Sequence, residues 1–240
     1  MRALLAGEGA AAVLAASAPT RPTGWWRFSR SAIVEVGGGV VVLVSPGTPL
    51  GPLEVLVDDL PRSPEGLEAL TLDGVPHWQG GLPEPSRLAR AIGVAGDAAA
   101  LAAEGTLVPA GRWGAALGAM ARGDLAAAVS ALGGAGPGLT PAGDDALGGL
   151  FFALRARLGP GAEGWLSPLA AGVETTALSS GALRWAARGQ ALAPAHGLLG
   201  AAVAGNRRAA EGAALALARI GHSSGADFAL GLAAGLRLEG

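Results

Sequence analysis

The spacing of apolar residues changes kind once along this 240-residue chain, and that change bounds what it can fold into. Before about residue 85 the apolar residues come in short β-branched runs. Ile33–Val36 and Val40–Val44 are separated by Gly37-Gly38-Gly39, and Leu53–Val57 follows the punctuation Ser45-Pro46-Gly47-Thr48-Pro49. Runs of this kind read as strands, the glycines supplying a hairpin turn or bulge. Leu67–Leu72 is a further candidate strand. The stretch from Val75 to Pro85 holds three prolines and little periodicity, and reads as a linker. From about Ser86 the apolar residues recur at i, i+3 and i+4, predicting helices over Leu88–Gly93, Ala98–Ala103, Trp113–Ala121 and Leu125–Leu132. The fold class that follows is α+β. A β-rich domain over residues 1–85, with an N-terminal helix and a small sheet or barrel, packs on an all-helical domain over 86–240.

Membrane insertion needs a check, because half the chain is hydrophobic and its mean hydropathy is +0.42. The uncharged stretches 125–143 and 189–206 are each interrupted by Pro, Gly, Ser or His, so neither suits a bilayer span. Met1-Arg2 and the Ala/Leu-rich stretch ending near Ala16-Ser17-Ala18 have the outline of a secretory signal. Glu8 breaks the apolar region, and an ordinary helix in a cytoplasmic protein is the expectation.

The missing residue types remove whole classes of chemistry. There is no Cys, which rules out thiolate catalysis and disulfides. All 17 basic residues are Arg, so a Schiff base, pyridoxal phosphate attachment and a lysine-dependent P-loop are ruled out as well. With a net charge of −2 and no arginine run, nothing points to nucleic acid.

Chemistry concentrates at helix starts. Gly136-Pro137-Gly138-Leu139-Thr140-Pro141-Ala142-Gly143-Asp144-Asp145 combines a glycine-rich loop, a Thr-Pro helix entry and paired carboxylates. The first turn of a helix has unpaired N–H groups and a partial positive charge, and the preceding Gly136-Pro137-Gly138 lets an anion approach the backbone. Asp144 and Asp145 would repel that anion unless one of them holds a cation such as Mg²⁺ that bridges to ligand oxygens. Alternatively, an Asp accepts hydrogen bonds from a substrate amide or amine. Adjacent helical side chains diverge by about 100°, so the two carboxylates cannot address one spot.

The segment Gly138–Gly148 aligns without gaps to Gly221–Gly231, placing Asp144 on Asp227 and Thr140 on Ser223. The second start adds His222, Ser223, Ser224 and Gly225: two hydroxyls for an anion and an imidazole to donate or shuttle a proton. Plain helix capping by Ser224 and Asp227 is the competing reading. A helix expected from Ser167-Pro168 carries Thr175, Thr176, Ser179 and Ser180. Within it Thr176, Ser180 and Arg184 form an i, i+4, i+8 stripe suited to a carboxylate or phosphate.

Together these motifs resemble the AllH subunit family of oxamate carbamoyltransferase: the G-L-T-P-x-G-D-D element at 138–145, Thr175-Thr176 with Ser179, and Gly221–Asp227. The resemblance runs from about residue 123 to 238. The N-terminal part agrees in outline, through its hairpin and Gly51-Pro52. What it implies is carbamoyl transfer, oxalurate and phosphate being exchanged for oxamate and carbamoyl phosphate, in concert with companion subunits. Asp144, Asp145 and His222 would then be catalytic. Gly138, Thr140, Gly143, Thr176, Ser180, Arg184, Ser223, Ser224, Gly225 and Asp227 would bind the small anionic substrate. A different class of function, a non-catalytic partner or ligand-sensing subunit, would use Trp25, Trp26 and Trp113 as an interface.

Overall fold

A computed structural model describes residues 1–17, 21–70 and 72–238. The chain divides into two compact units, Met1–Gly80 and Gly81–Gly240.

The first unit is a six-stranded open sheet of order β2-β3-β4-β5-β1-β6. It is built from β1 (Ala3–Gly7), β2 (Gly24–Arg27), β3 (Ser31–Val36), β4 (Gly39–Val44), β5 (Glu54–Val57) and β6 (His77–Trp78), with helix α1 (Glu8–Ser17) between β1 and β2. The expected hairpin is β3–β4, paired antiparallel from Ser31↔Val44 to Val36↔Gly39. Gly37 and Gly38 turn it with φ of +57° and +77°, values that suit glycine. β5 runs parallel to β4, and β1 closes against β5 antiparallel. Ala32 and Val34 of β3 alternate inward to meet Val41, Leu43, Val55 and Val57, with Val13 and Leu14 of α1 packed on this core.

Three expectations need correction here. The N-terminal helix does form, but a strand, Ala3–Gly7, precedes it; Ala18, the end of the signal-like stretch, lies outside the described residues. The candidate strand Leu67–Leu72 is instead a 3₁₀ turn over Pro64–Ala69, and Thr71 lies outside the described residues. The reason is spacing: Leu67 and Leu70 both pack on the core three residues apart, which is a helical period. The stretch taken as linker contributes β6, which pairs parallel to β1.

The second unit is helical. Its elements are α2 (Pro85–Ala89), α3 (Ile92–Ala102), α4 (Ala110–Ala121), α5 (Leu125–Leu132), α6 (Ala142–Leu158), α7 (Glu163–Ala171), α8 (Ala177–Ala187), α9 (Ala193–Val203), α10 (Arg207–Ala218) and α11 (Ser224–Arg237). α6 is the central helix, with thirteen of its seventeen residues buried, including Phe151 and Phe152. A helix apolar on every side has to be surrounded. Asp124 and Asn206 cap α5 and α10 by accepting the Ala127 and Ala209 N–H groups at 2.9 and 3.0 Å. The helix expected from Ser167 begins at Glu163, because the 3₁₀ turn Pro160–Ala162 runs straight into it; Pro168 lies inside the helix. Among the described residues no helix is long and apolar enough to cross a membrane.

Candidate functional site

The loop before α6 is shaped by its glycines. Gly136 and Gly138 have φ of +126° and +96°, so the chain turns there in a way side chains resist. Gly138 is exposed and a Cβ added to it would meet nothing within 4 Å, leaving open space beside the backbone. Gly143 serves packing: a Cβ there would run into the Leu132 carbonyl, and its N–H donates to Ala135 O at 2.8 Å. α6 starts one residue later than the Thr140-Pro141 motif suggests, with Pro141 as its N-cap residue.

The two aspartates do different things, as their angular separation requires. Asp144 is buried and both of its oxygens are engaged. Oδ1 accepts the Gly134 N–H at 2.7 Å, and Oδ2 accepts the Thr175 hydroxyl in a short hydrogen bond. Asp145 faces the second helix start, where Ser224 and Thr140 lie against its carboxyl. Its Oδ2 is buried without a hydrogen-bond partner. Burial pushes its pKa well up; the negative charges of Asp227 and Asp144 add to that, while the Ser224 and Thr140 hydroxyls pull the other way.

The second start meets the first directly: Thr140 Oγ1 and Ser224 Oγ are 2.9 Å apart, hydrogen bonded across 84 residues of chain. Ser224 therefore does not cap its own helix. The N-cap residue is Ser223, which makes no side-chain cap bond. Nor does Asp227 complete a capping box. It is fully buried, and its Oδ1 accepts both the Thr106 hydroxyl and the Leu107 N–H at 2.7 Å, while Oδ2 has no partner. Gly225 gives the chain room, since a Cβ there would run into Leu217 O. His222 is exposed beside this start, and Ser223 is half-buried.

The sequence echo is thus a packing relation. Gly138 and Gly221 both take positive φ. Asp144 and Asp227 each bind one backbone N–H and one threonine hydroxyl. α6 and α11 cross where Gly149 and Gly231 remove side chains, each backing onto a carbonyl of the other helix (Phe228 and Ala146).

Thr176 joins from a third side, though not inside a helix as the stripe supposed. It caps α8, accepting the Ser179 N–H at 3.1 Å, and donates to Leu139 O at 2.6 Å, which ties α8 to the glycine loop. Ser180 is half-buried in the first turn of α8, and Arg184 is exposed further along it.

Asp144 offers no free oxygen to Mg²⁺. Both Asp144 oxygens are taken by hydrogen donors. Among the described residues no three His, Cys, Asp or Glu side chains group to hold a metal ion.

Sequence reasoning missed Gly134, Thr106 and Leu107, whose donors satisfy the buried aspartates. A buried Asp demands donors, yet nothing local in the sequence names them. It also passed over Glu54 in β5, whose pKa burial pushes up to about 7 and whose Oε2 is unpartnered. His196 lies in α9. There its Nε2 accepts the Ala191 N–H at 3.2 Å and its Nδ1 stands 3.1 Å from Gly81 O.

Every side chain that joins the two helix starts lies between Thr140 and Asp227, and that interval is where the chain matches a known family. Residues 132–236 match the model of the family described as oxamate carbamoyltransferase subunit AllH. The resemblance read from the motifs stands over that segment. The AllH match takes in both helix starts, Thr175 and Thr176, and leaves Thr106, Leu107 and the whole sheet unit outside it. No curated protein and no solved structure matches the chain.

Proposed function

We propose that the chain is an AllH-type subunit of a cytoplasmic carbamoyl-transferring enzyme, binding a small anionic substrate where the starts of α6 and α11 meet. The hydrogen bond between Thr140 and Ser224 carries the reading, because it brings two separate helix N-termini to one place. Two positive helix ends and two hydroxyls suit phosphate or carboxylate oxygens. Asp145 no longer contradicts an anion there, since its environment favours the proton-bearing, neutral form. Gly138 leaves the loop open for approach. Thr140, Ser223 and Ser224 would hold the anion and His222 would stand at its exposed side, while Thr176, Gly143 and Gly225 fix the loop and helix starts. Asp144 would act by holding Gly134 and Thr175 in place rather than by touching substrate.

In the reaction, a phosphate oxygen attacks the carbamoyl carbon of oxalurate. The bond from that carbon to the oxamate nitrogen breaks, and the nitrogen takes up a proton. Positioning and electrostatic stabilisation can supply much of the catalysis without a covalent nucleophile. The family is described as a subunit, so companion chains are part of the proposal. The non-catalytic reading keeps one observation in its favour: Trp113 lines an apolar groove of about 370 Å³ with Ala100, Ala103, Leu230 and Ala234, a surface a partner would cover.

The test is a thermal-shift titration with phosphate, carbamoyl phosphate, oxamate and oxalurate, with and without Mg²⁺, on wild type and Ser224→Ala. A ligand at a hundredfold excess over Kd stabilises by about 2.7 kcal/mol. A shift in wild type that Ser224→Ala abolishes supports the site; no shift with any of the four ligands counts against it.

A further inference from the structure

The meeting of the two helix starts leaves an imbalance of acceptors over donors. Asp145 Oδ2 on α6 and Asp227 Oδ2 on α11 are both buried and both lack a hydrogen-bond partner. Unpaired buried carboxyl oxygens are costly, and native proteins keep few of them without a use. The two are neighbours: Asp227 acts electrostatically on Asp145, and Ser224, which lies against the Asp145 carboxyl, shares a helix face with Asp227 at i, i+3. The rest of each group is committed. Asp227 Oδ1 is held by Thr106 and Leu107, which fixes the direction of Oδ2. Thr140 and Ser224 are bonded to each other and flank the Asp145 carboxyl.

We infer that Asp145 and Asp227 form an amino subsite, their free Oδ2 atoms accepting the two N–H bonds of a carbamoyl –NH₂ group. The inference rests on the anion reading above and deepens it. The hydroxyls and helix ends take the charged end of the ligand, and the two carboxyl oxygens identify the end that carries nitrogen. A carboxyl group offers an acceptor oxygen whether or not it holds a proton, so the subsite works with a neutral Asp145. Methyl in place of –NH₂ would leave both acceptors unpaired, and the site would reject it. Asp227 is thereby a specificity residue, and Thr106 positions it.

Carbamoyl phosphate and acetyl phosphate differ at this one group, NH₂ against CH₃. Their Kd values are to be measured by titration calorimetry on the full chain, wild type and Asp145→Leu. Leu is similar in reach and suits a buried position but offers no acceptor, and a thermal melt checks that the variant is folded. Wild type is expected to bind carbamoyl phosphate about tenfold tighter or more, the worth of one to two hydrogen bonds. Asp145→Leu should bring that ratio close to one. Equal affinity of wild type for the two esters overturns the amino subsite and leaves the anion site standing. Binding of neither overturns both. A preference that Asp145→Leu and Thr106→Val each leave intact places amino recognition elsewhere and overturns this assignment.

Discussion

Gly231 of α11 lies directly against the carbonyl of Ala146 in α6, so close that a methyl group added to the glycine would overlap the oxygen. Gly149 does the same to Phe228 O from the other helix. The two helices that carry the candidate site are therefore fixed backbone to backbone. Neighbouring glycines are not equivalent: a Cβ at Gly148 would meet only the Phe228 ring, at 3.5 Å, an ordinary contact. Gly231→Ala should cost about 1–3 kcal/mol through overpacking. Gly148→Ala should be neutral, or gain up to about 1 kcal/mol from helix propensity. Urea unfolding of both variants checks this, and equal midpoints would refute the close crossing.

Asp144 is a brace for the glycine loop. Removing its carboxyl orphans the Thr175 hydroxyl and the Gly134 N–H, though Gly134 is exposed and its N–H can find water. The expected cost of Asp144→Ala is on the order of 2–3 kcal/mol. Asp144→Asn should cost less, since its carbonyl still accepts the Gly134 N–H and the Thr175 hydroxyl can turn to accept from the amide. The same denaturation assay ranks the two, and an Asn variant as unstable as Ala would show that the charge itself holds the loop.

The parts of this structure that were legible in the sequence are those encoded locally. β-branched alternation around two glycines specified β3–β4, and i, i+3, i+4 spacing specified α5 to the residue. The divergence of Asp144 and Asp145 followed from helix geometry alone. The helix expected from Ser167 was carried on through Thr175-Thr176, when α7 ends at Ala171 and Thr176 is the cap of a new helix. Partners set by tertiary packing were illegible: Asp227 meets Thr106 across 121 residues, and no periodicity announces such a pair. The occupancy of Asp144 was illegible for the same reason, since its donors come from residues 10 and 31 positions away.

His196 supplies a pH test of the core of the helical unit. Its Nε2 accepts a backbone N–H, so the ring proton belongs on Nδ1, facing Gly81 O, and Phe152 packs edge-on at 4.9 Å. Burial lowers its pKa below the ordinary value of about 6.5. The folded state then binds fewer protons than the unfolded one. Stability falls as pH drops below about 6.5 and keeps falling until the folded pKa is passed. In thermal melts from pH 8 to 5, the difference between wild type and His196→Asn should shrink toward acid pH. A constant difference would mean the imidazole is not held neutral.

Asp145 has the opposite sign, which makes the two separable. Its pKa is raised in the folded state, chiefly by burial, so the native protein binds more protons than the unfolded chain once pH exceeds about 3.9. Stability contributed at this position is therefore lost as pH rises, by about 1.4 kcal/mol for each unit between the unfolded and folded pKa values. Asp145→Asn cannot ionise and escapes the loss. Unfolding free energies measured in urea at pH 4, 5, 6 and 7 should show the variant gaining on wild type at each step, with the gain levelling off where the native carboxyl finally ionises. Phosphate, if bound at this place, should bind wild type more weakly above that same pH, because the carboxylate would then face the anion. Parallel stability curves for the two proteins would show that Asp145 titrates as an ordinary surface carboxyl, and the neutral-acid account of the site would have to be given up.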